Sequence, residues 1–225
     1  MAIRRGTLYS LTAVPGVSGY LVLSNDQWNT ARTEEAAGAL VYESPGAARV
    51  ALAGGKAFVG ELVAVSKAAL GNPLTQLSAA DLRPVEELVC DSLALRELHQ
   101  QPPQPPPAQP GAIDYPLWSQ IYYAGPPLGD PPQNKRRVVA SVDSYNSAMR
   151  GAVCIRTTTR GKPGPGFPQL TDGTIAVAMA PTLFFNPYVR FQPRQERPSP
   201  SQLFLADMAL VAAGIVDALE LHHLV

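Results

Sequence analysis

The sequence predicts a mainly β chain with helices (α+β): two small β barrels or rolls, each followed by a C-terminal helix, joined by a proline-rich linker. Three observations carry this reading. Short apolar runs rich in β-branched and aromatic residues recur along the chain. The segment QQPPQPPPAQPG, Gln100 to Gly111, has a proline density that imposes polyproline II geometry and admits neither sheet nor helix. The order of features before that segment also returns after it. The expected boundaries are a first unit at 1–98, a linker at 99–112 and a second unit at 113–225. The linker composition also suits an SH3-type ligand, but the folded-looking sequence on both sides favours a stiff spacer.

In the first unit, Thr7 to Leu11 and Tyr20 to Ser24 read as strands, and Asn25 to Asn29 supplies turn chemistry. Ala39 to Tyr42, Ala48 to Ala53 and Glu61 to Val65 read as further short strands, and Asn72-Pro73 breaks the chain. Ser78 to Leu95 then places Leu82, Val85, Leu88, Val89, Leu93 and Leu95 at mostly helical spacing, with Ser78 and Asp81 as a helix start.

After the linker, Gln120 to Tyr123 and Arg137 to Ser141 repeat the first two strands. The turn Ser141-Val142-Asp143-Ser144-Tyr145-Asn146 matches Ser24-Asn25-Asp26-Gln27-Trp28-Asn29 at Ser, Asp, an aromatic and Asn. Gly151 to Ile155 matches Gly38 to Tyr42, and Val177-Ala178-Met179 with Asn186-Pro187 matches Val63-Ala64-Val65 with Asn72-Pro73. Ser199 to Leu221 gives the second helix, with Leu203, Leu205, Met208, Val211, Ile215 and Leu219 as its apolar stripe. That stripe reads as core-facing, with a partner-binding surface as the alternative. An internal duplication is expected.

Composition narrows the chemistry. With 225 residues and 46% apolar content, wholesale disorder is excluded. A net charge of zero gives no global field toward nucleic acid or membrane, so any polyanion site must be a local patch. Cys90 and Cys154 lie in apolar runs outside any metal-ligand spacing and read as buried free thiols. His99, His222 and His223 sit beside the linker or at the C-terminus, which argues against a histidine triad or zinc site. No metal and no cofactor is expected. The start MAIRRGTLYSL has no apolar region of signal-peptide length, and the run Met208 to Val216 is too short to cross a bilayer. A soluble, cytoplasmic protein with no membrane partner is expected.

The chemistry is expected between Lys135 and Arg160, KRRVVASVDSYNSAMRGAVCIRTTTR, where the densest positive charge meets three consecutive threonines. Apolar strand, Ser-x-Asp-x-aromatic-Asn, Gly, apolar strand and Thr, together with the opening RRGTLYSL, resembles the MazF/PemK toxins, whose fold is shared with CcdB. The resemblance implies SH3-like barrels with a C-terminal helix and a dimer, formed by two chains or as an intrachain pseudo-dimer. It also implies the toxin component of a type II toxin–antitoxin system: an mRNA interferase cleaving single-stranded RNA without metal, with an antitoxin as protein partner.

In that family an Arg opening the second strand and a Thr ending the third carry catalysis. Their places fall on Lys135, with Arg136 and Arg137 next to it, and on Thr157. The family's Arg-Pro dipeptide is missing, so either Arg136 or Lys135 is the functional cation. The expected catalytic set is therefore Arg136, Lys135 and Thr157. Arg137, Ser141, Asn146, Thr158 and Arg160 are expected to bind RNA, with Arg150, Arg156 and Lys162 along the phosphate path. Trp118, Tyr122 and Tyr123 are candidate base-stacking residues or barrel core.

The first unit puts Ser18 at the cation position and Ser44 at the threonine position, and has eight basic residues against ten acidic ones up to Glu97, so it reads as inactive. The alternative is a catalytically inactive relative that binds a protein target, as CcdB binds DNA gyrase through its C-terminal helix, or a partner toxin or antitoxin. That would place the working surface on Ser199 to Val225.

Overall fold

A computed structural model of the chain describes residues 3–11, 16–30, 34–46, 49–52, 55, 57–100, 116–124, 135–185, 192–193 and 203–225. The first segment forms strands β1 (Thr7–Leu11), β2 (Val17–Val22), β3 (Glu35–Tyr42), β4 (Val50–Ala51), β5 (Phe58–Ser66) and β6 (Leu70–Gln76). Its helices are α1 (Asp26–Thr30), α2 (Ala79–Ser92) and α3 (Leu95–Gln100). The second segment forms β7 (Ile121–Ala124), β8 (Lys135–Val139), α4 (Asp143–Met149), β9 (Gly151–Thr158), β10 (Ile175–Phe185), β11 (Gln192–Pro193) and α5 (Leu205–Leu219). Of the linker expected at 99–112, residues 99–100 still belong to α3, and 101–112, like Asn186-Pro187, lie outside the described residues.

Two antiparallel sheets result, ordered β4-β5-β3-β2-β1-β6 and β10-β9-β8-β7-β11. The mainly β expectation agrees with this. The expected barrels do not: among the described residues each sheet is an open ladder with two different edge strands. The apolar faces are covered instead by packing across the molecule. One core takes Leu21, Val41 and Val89 from the first segment together with Val138, Ile155, Val211 and Ile215 from the second.

Local chemistry explains most boundaries. Ser78 Oγ accepts the Asp81 N–H at 3.2 Å and starts α2, as its spacing predicts. The helix expected through Leu95 breaks earlier, because Ala94 turns left-handed at φ 49° before α3 begins. Pro73, expected to break the chain, lies inside β6. That strand is the sheet edge, and the register against β1 shifts around Tyr9 and its partner Pro73, a place where a missing donor is tolerated.

The two segments make matching hydrogen bonds. Ser24 Oγ donates to Asn29 Oδ1 at 2.7 Å and accepts the Ala37 N–H at 3.2 Å. Ser141 Oγ likewise donates to Asn146 Oδ1 and accepts the Val153 N–H at 2.8 Å. Asp26 Oδ1 accepts the Arg5 N–H and Asp143 Oδ1 the Trp118 N–H, at 2.8 and 2.7 Å. These bonds place Val153 where Ala37 stands, so Thr157 corresponds to Val41 and Thr158 to Tyr42. The sequence alignment that paired Thr157 with Ser44 is shifted by three residues.

Two further bonds are reciprocal. Asn25 N–H donates to Ala218 C=O near the end of α5 at 2.8 Å, and Val142 N–H donates to Ser92 C=O at the end of α2 at 3.0 Å. Each turn therefore closes the helix of the other segment. The apolar stripe of α5, at Met208, Val211, Ile215 and Leu219, is buried in the shared core, which leaves it unavailable as a docking surface. Among the described residues no helix is long and apolar enough to cross a membrane.

Candidate functional site: a basic cavity at the end of β9

Strand β9 ends in Arg156, Thr157 and Thr158, and the chain returns through a Gly/Pro-rich loop, 159–174, into β10. An open cavity of about 510 Å³ lies there, lined by Arg156, Thr157, Thr158, Arg160, Lys162 and Phe167. Ile175 and Val177 of β10 complete its apolar wall. Arg156, Arg160 and Lys162 form no ion pair with any described residue. Arg160 and Lys162 are exposed, whereas Arg156 is half-buried.

The positive charge is reinforced by the sheet. Arg137 of β8 stands directly opposite Arg156 of β9, which brings two guanidiniums together on one face. Burial pushes the Arg137 pKa down and Arg156 pushes it the same way, while the Cys154 thiol and the Glu35 carboxylate push it up.

The threonines divide their work. Thr157 is buried and lines the cavity; its hydroxyl makes no hydrogen bond with a described residue, and strand alternation turns its side chain to the face of Ile155, opposite to Arg156. The Thr158 hydroxyl accepts the Arg160 N–H at 3.0 Å and lies 3.2 Å from the Arg160 carbonyl, so it shapes the turn that carries Arg160.

Arg136 does not face the cavity as a free cation. Strand alternation puts it on the core side with Val138. Its Nη1 donates to Thr174 Oγ1 at 2.8 Å and its Nη2 to Asp172 Oδ2 at 2.5 Å. Burial raises the Asp172 pKa, but hydrogen bonds from Thr174 and the Arg136 charge outweigh it and leave the carboxyl below its ordinary value. One residue earlier, Thr171 N–H and Oγ1 both donate to the buried Asp207 Oδ1 of α5 at 2.8 Å. Arg136 and Asp207 thus pin the far end of the loop from two sides. The side chain of Lys135 lies outside the described residues, and its backbone opens β8 opposite Ala124.

The remaining sequence candidates separate from the cavity. Ser141 and Asn146 are both fully buried, with Asn146 Nδ2 donating to Pro116 C=O at 2.8 Å and Ser141 C=O at 3.1 Å. Their polar groups are consumed inside the protein, so they hold the turn and do not face solvent. Arg150 caps α4 in the left-handed region at φ 47° and is not part of the cavity lining. Trp118 is core, and the side chains of Tyr122 and Tyr123 lie outside the described residues. Sequence reasoning missed Phe167, Asp172 and Asp207. The available signal was the loop GKPGPGFPQL itself, directly after the threonines.

The corresponding place in the first segment is filled. Tyr42, which stands where Thr158 does, is covered by the Arg49 guanidinium at 3.4 Å from its ring centroid. Arg49 also reaches Glu61 at 3.6 Å and donates to Ser44 C=O at 3.2 Å. Among the described residues no cluster of three or more His, Cys, Asp or Glu side chains is arranged to hold a metal.

No family model and no curated protein sequence matches the chain. Part of it is similar to two solved structures from Mycobacterial species. One is an endoribonuclease in complex with its cognate antitoxin, at 19% identity and a TM-score of 0.35, covering 40% of this chain and 90% of that one. The other is an endoribonuclease at 18% identity and a TM-score of 0.35, covering 40% of this chain and 89% of that one.

Proposed function

We propose that the chain is a toxin-like endoribonuclease acting on single-stranded RNA at the β9 cavity. The observation that carries the reading is the cavity at the end of β9, where Arg156, Arg160 and Lys162 stand together with none of them in an ion pair with a described residue. The motif order resembling the MazF/PemK toxins supports it independently. In the proposed reaction the RNA 2′-oxygen bonds to the adjacent phosphorus and the bond to the next nucleotide's 5′-oxygen breaks. The 2′-OH proton passes to solvent, and the departing oxygen takes one from water. Negative charge grows on the non-bridging oxygens, where the Arg156 fork donates parallel hydrogen bonds. Thr157, next to Arg156 on the opposite face of β9, positions the strand end that carries it.

Arg156 takes the role that the sequence assigned to Lys135 or Arg136, with Arg136 positioning the loop. The two segments act as an intrachain pseudo-dimer from a tandem duplication, a reading supported by the reciprocal Asn25–Ala218 and Val142–Ser92 bonds. An antitoxin protein is the proposed partner.

The test is cleavage of single-stranded RNA in EDTA. Arg156→Ala is expected to lower the rate about a hundredfold or more, and Thr157→Ala by a smaller factor. Folded protein that cleaves nothing across a broad RNA panel, or cleavage unchanged in both variants, overturns the proposal.

A further inference from the structure

Among the described residues Phe167 is the one aromatic side chain in the cavity lining, and the surrounding chain fixes it in place. Its N–H donates to Gly164 C=O at 2.8 Å and its C=O accepts the Gly164 N–H at 3.1 Å. On either side, Gly166 C=O accepts the Ala178 N–H and Pro168 C=O accepts the Ala176 N–H, both at 2.9 Å, which fastens the loop onto β10. The ring itself is backed edge-on by Trp28 of the first segment, with centroids 5.2 Å apart and planes at 68°. Gly166 has φ +68°, and a Cβ there would lie 2.7 Å from Trp28 Cζ2, so the backbone and the indole are in close contact. Phe167 is half-buried, and Ile175 and Val177 line the same wall. The cations stand on the strand end and the loop.

From this arrangement we infer that the cavity is a nucleotide subsite, in which the Phe167 ring stacks one base while Arg156, Arg160 and Lys162 hold the adjoining phosphate. The inference rests on the proposed ribonuclease reading and adds how that site takes its substrate. The volume falls within the range of small-ligand pockets, roughly 300–1,000 Å³. A ring locked by backbone bonds and an indole loses little freedom on stacking, whereas the exposed lysine and arginine must be ordered. Stacking of this kind is tolerant of base identity, because every base has a π face. Trp28 joins the subsite from the other segment without touching the ligand, as a positioning residue.

The experiment compares binding of uridine 5′-monophosphate and of ribose 5-phosphate, which carries the same phosphate and sugar without a base, to the full chain. The wild type is expected to prefer the nucleotide by about tenfold or more. Phe167→Ala should remove that preference and leave ribose 5-phosphate affinity unchanged, and Phe167→Tyr should keep it. Phe167→Leu, which retains apolar bulk against Trp28, should lose the preference at an unchanged unfolding midpoint. Trp28 fluorescence is expected to respond to the nucleotide more than to the base-free phosphate. Equal affinities for the two ligands in the wild type, or a preference that survives Phe167→Leu, overturns the inference. A preference that depends on Phe167 in a protein that cleaves no RNA supports the subsite and removes only the ribonuclease reading. Cleavage without such a preference does the reverse.

Discussion

Charges in this protein do opposite work depending on whether a partner is within reach. Arg5 is largely buried, donates to Glu86 Oε1 at 2.6 Å and to Leu219 C=O at 2.7 Å, and so ties α2 and α5 to the N-terminal strand. Glu86 is buried as well and takes His223 Nε2 at 3.1 Å on its other oxygen. Breaking such a pair leaves a charge desolvated without compensation. Glu86→Ala is expected to cost about 3–5 kcal/mol, read as a lower urea midpoint with an unchanged slope. Exposed Arg83–Glu87 on α2 is the contrasting case, a surface pair worth a few tenths of a kcal/mol at most. Arg136 belongs with Arg5, since its charge is consumed by Asp172, while Arg156 forms no ion pair with a described residue.

At the scale of elements, the Ser–Asn lock explains why the same turn motif occurs twice. In each copy a buried serine hydroxyl satisfies a strand N–H, and a buried asparagine closes the serine carbonyl. Losing the hydroxyl strands a buried donor, a loss of about 1–3 kcal/mol. Ser141→Ala and Ser24→Ala should therefore lower stability by comparable amounts in thermal or urea unfolding. RNA cleavage well below the unfolding midpoint should be unchanged in both. A selective loss of RNA affinity in Ser141→Ala would instead return that residue to the binding surface.

Over the whole molecule, the helix ends connect the two segments. The last carbonyls of α5 are taken by the first segment: Asp217 C=O by Asn25 Nδ2, Ala218 C=O by Asn25 N–H and Leu219 C=O by Arg5. With one core drawn from both sheets, neither half can bury its apolar face alone. Unfolding is expected as a single transition, coincident by circular dichroism and fluorescence. Residues 1–98 and 113–225 produced separately should each lack a cooperative transition, and two independent melts in the intact chain would refute the shared core.

The sequence by itself determined the mainly β class, the α2 start at Ser78, the apolar stripe of α5 and the region of the cavity, because periodicity, capping and local charge are properties of neighbouring residues. It placed Thr157, Thr158 and Arg160 where the cavity lies, and Arg156 and Lys162 beside them. Only the tertiary structure decided which cations have carboxylate partners, since Asp172 lies 36 positions beyond Arg136 in the chain. Likewise, burial of Ser141 and Asn146 and the backing of Phe167 by Trp28 depend on contacts between distant segments. The same holds for the open sheets. A strand pattern records which face is apolar, and whether that face closes on itself or against another sheet is settled by what packs across it.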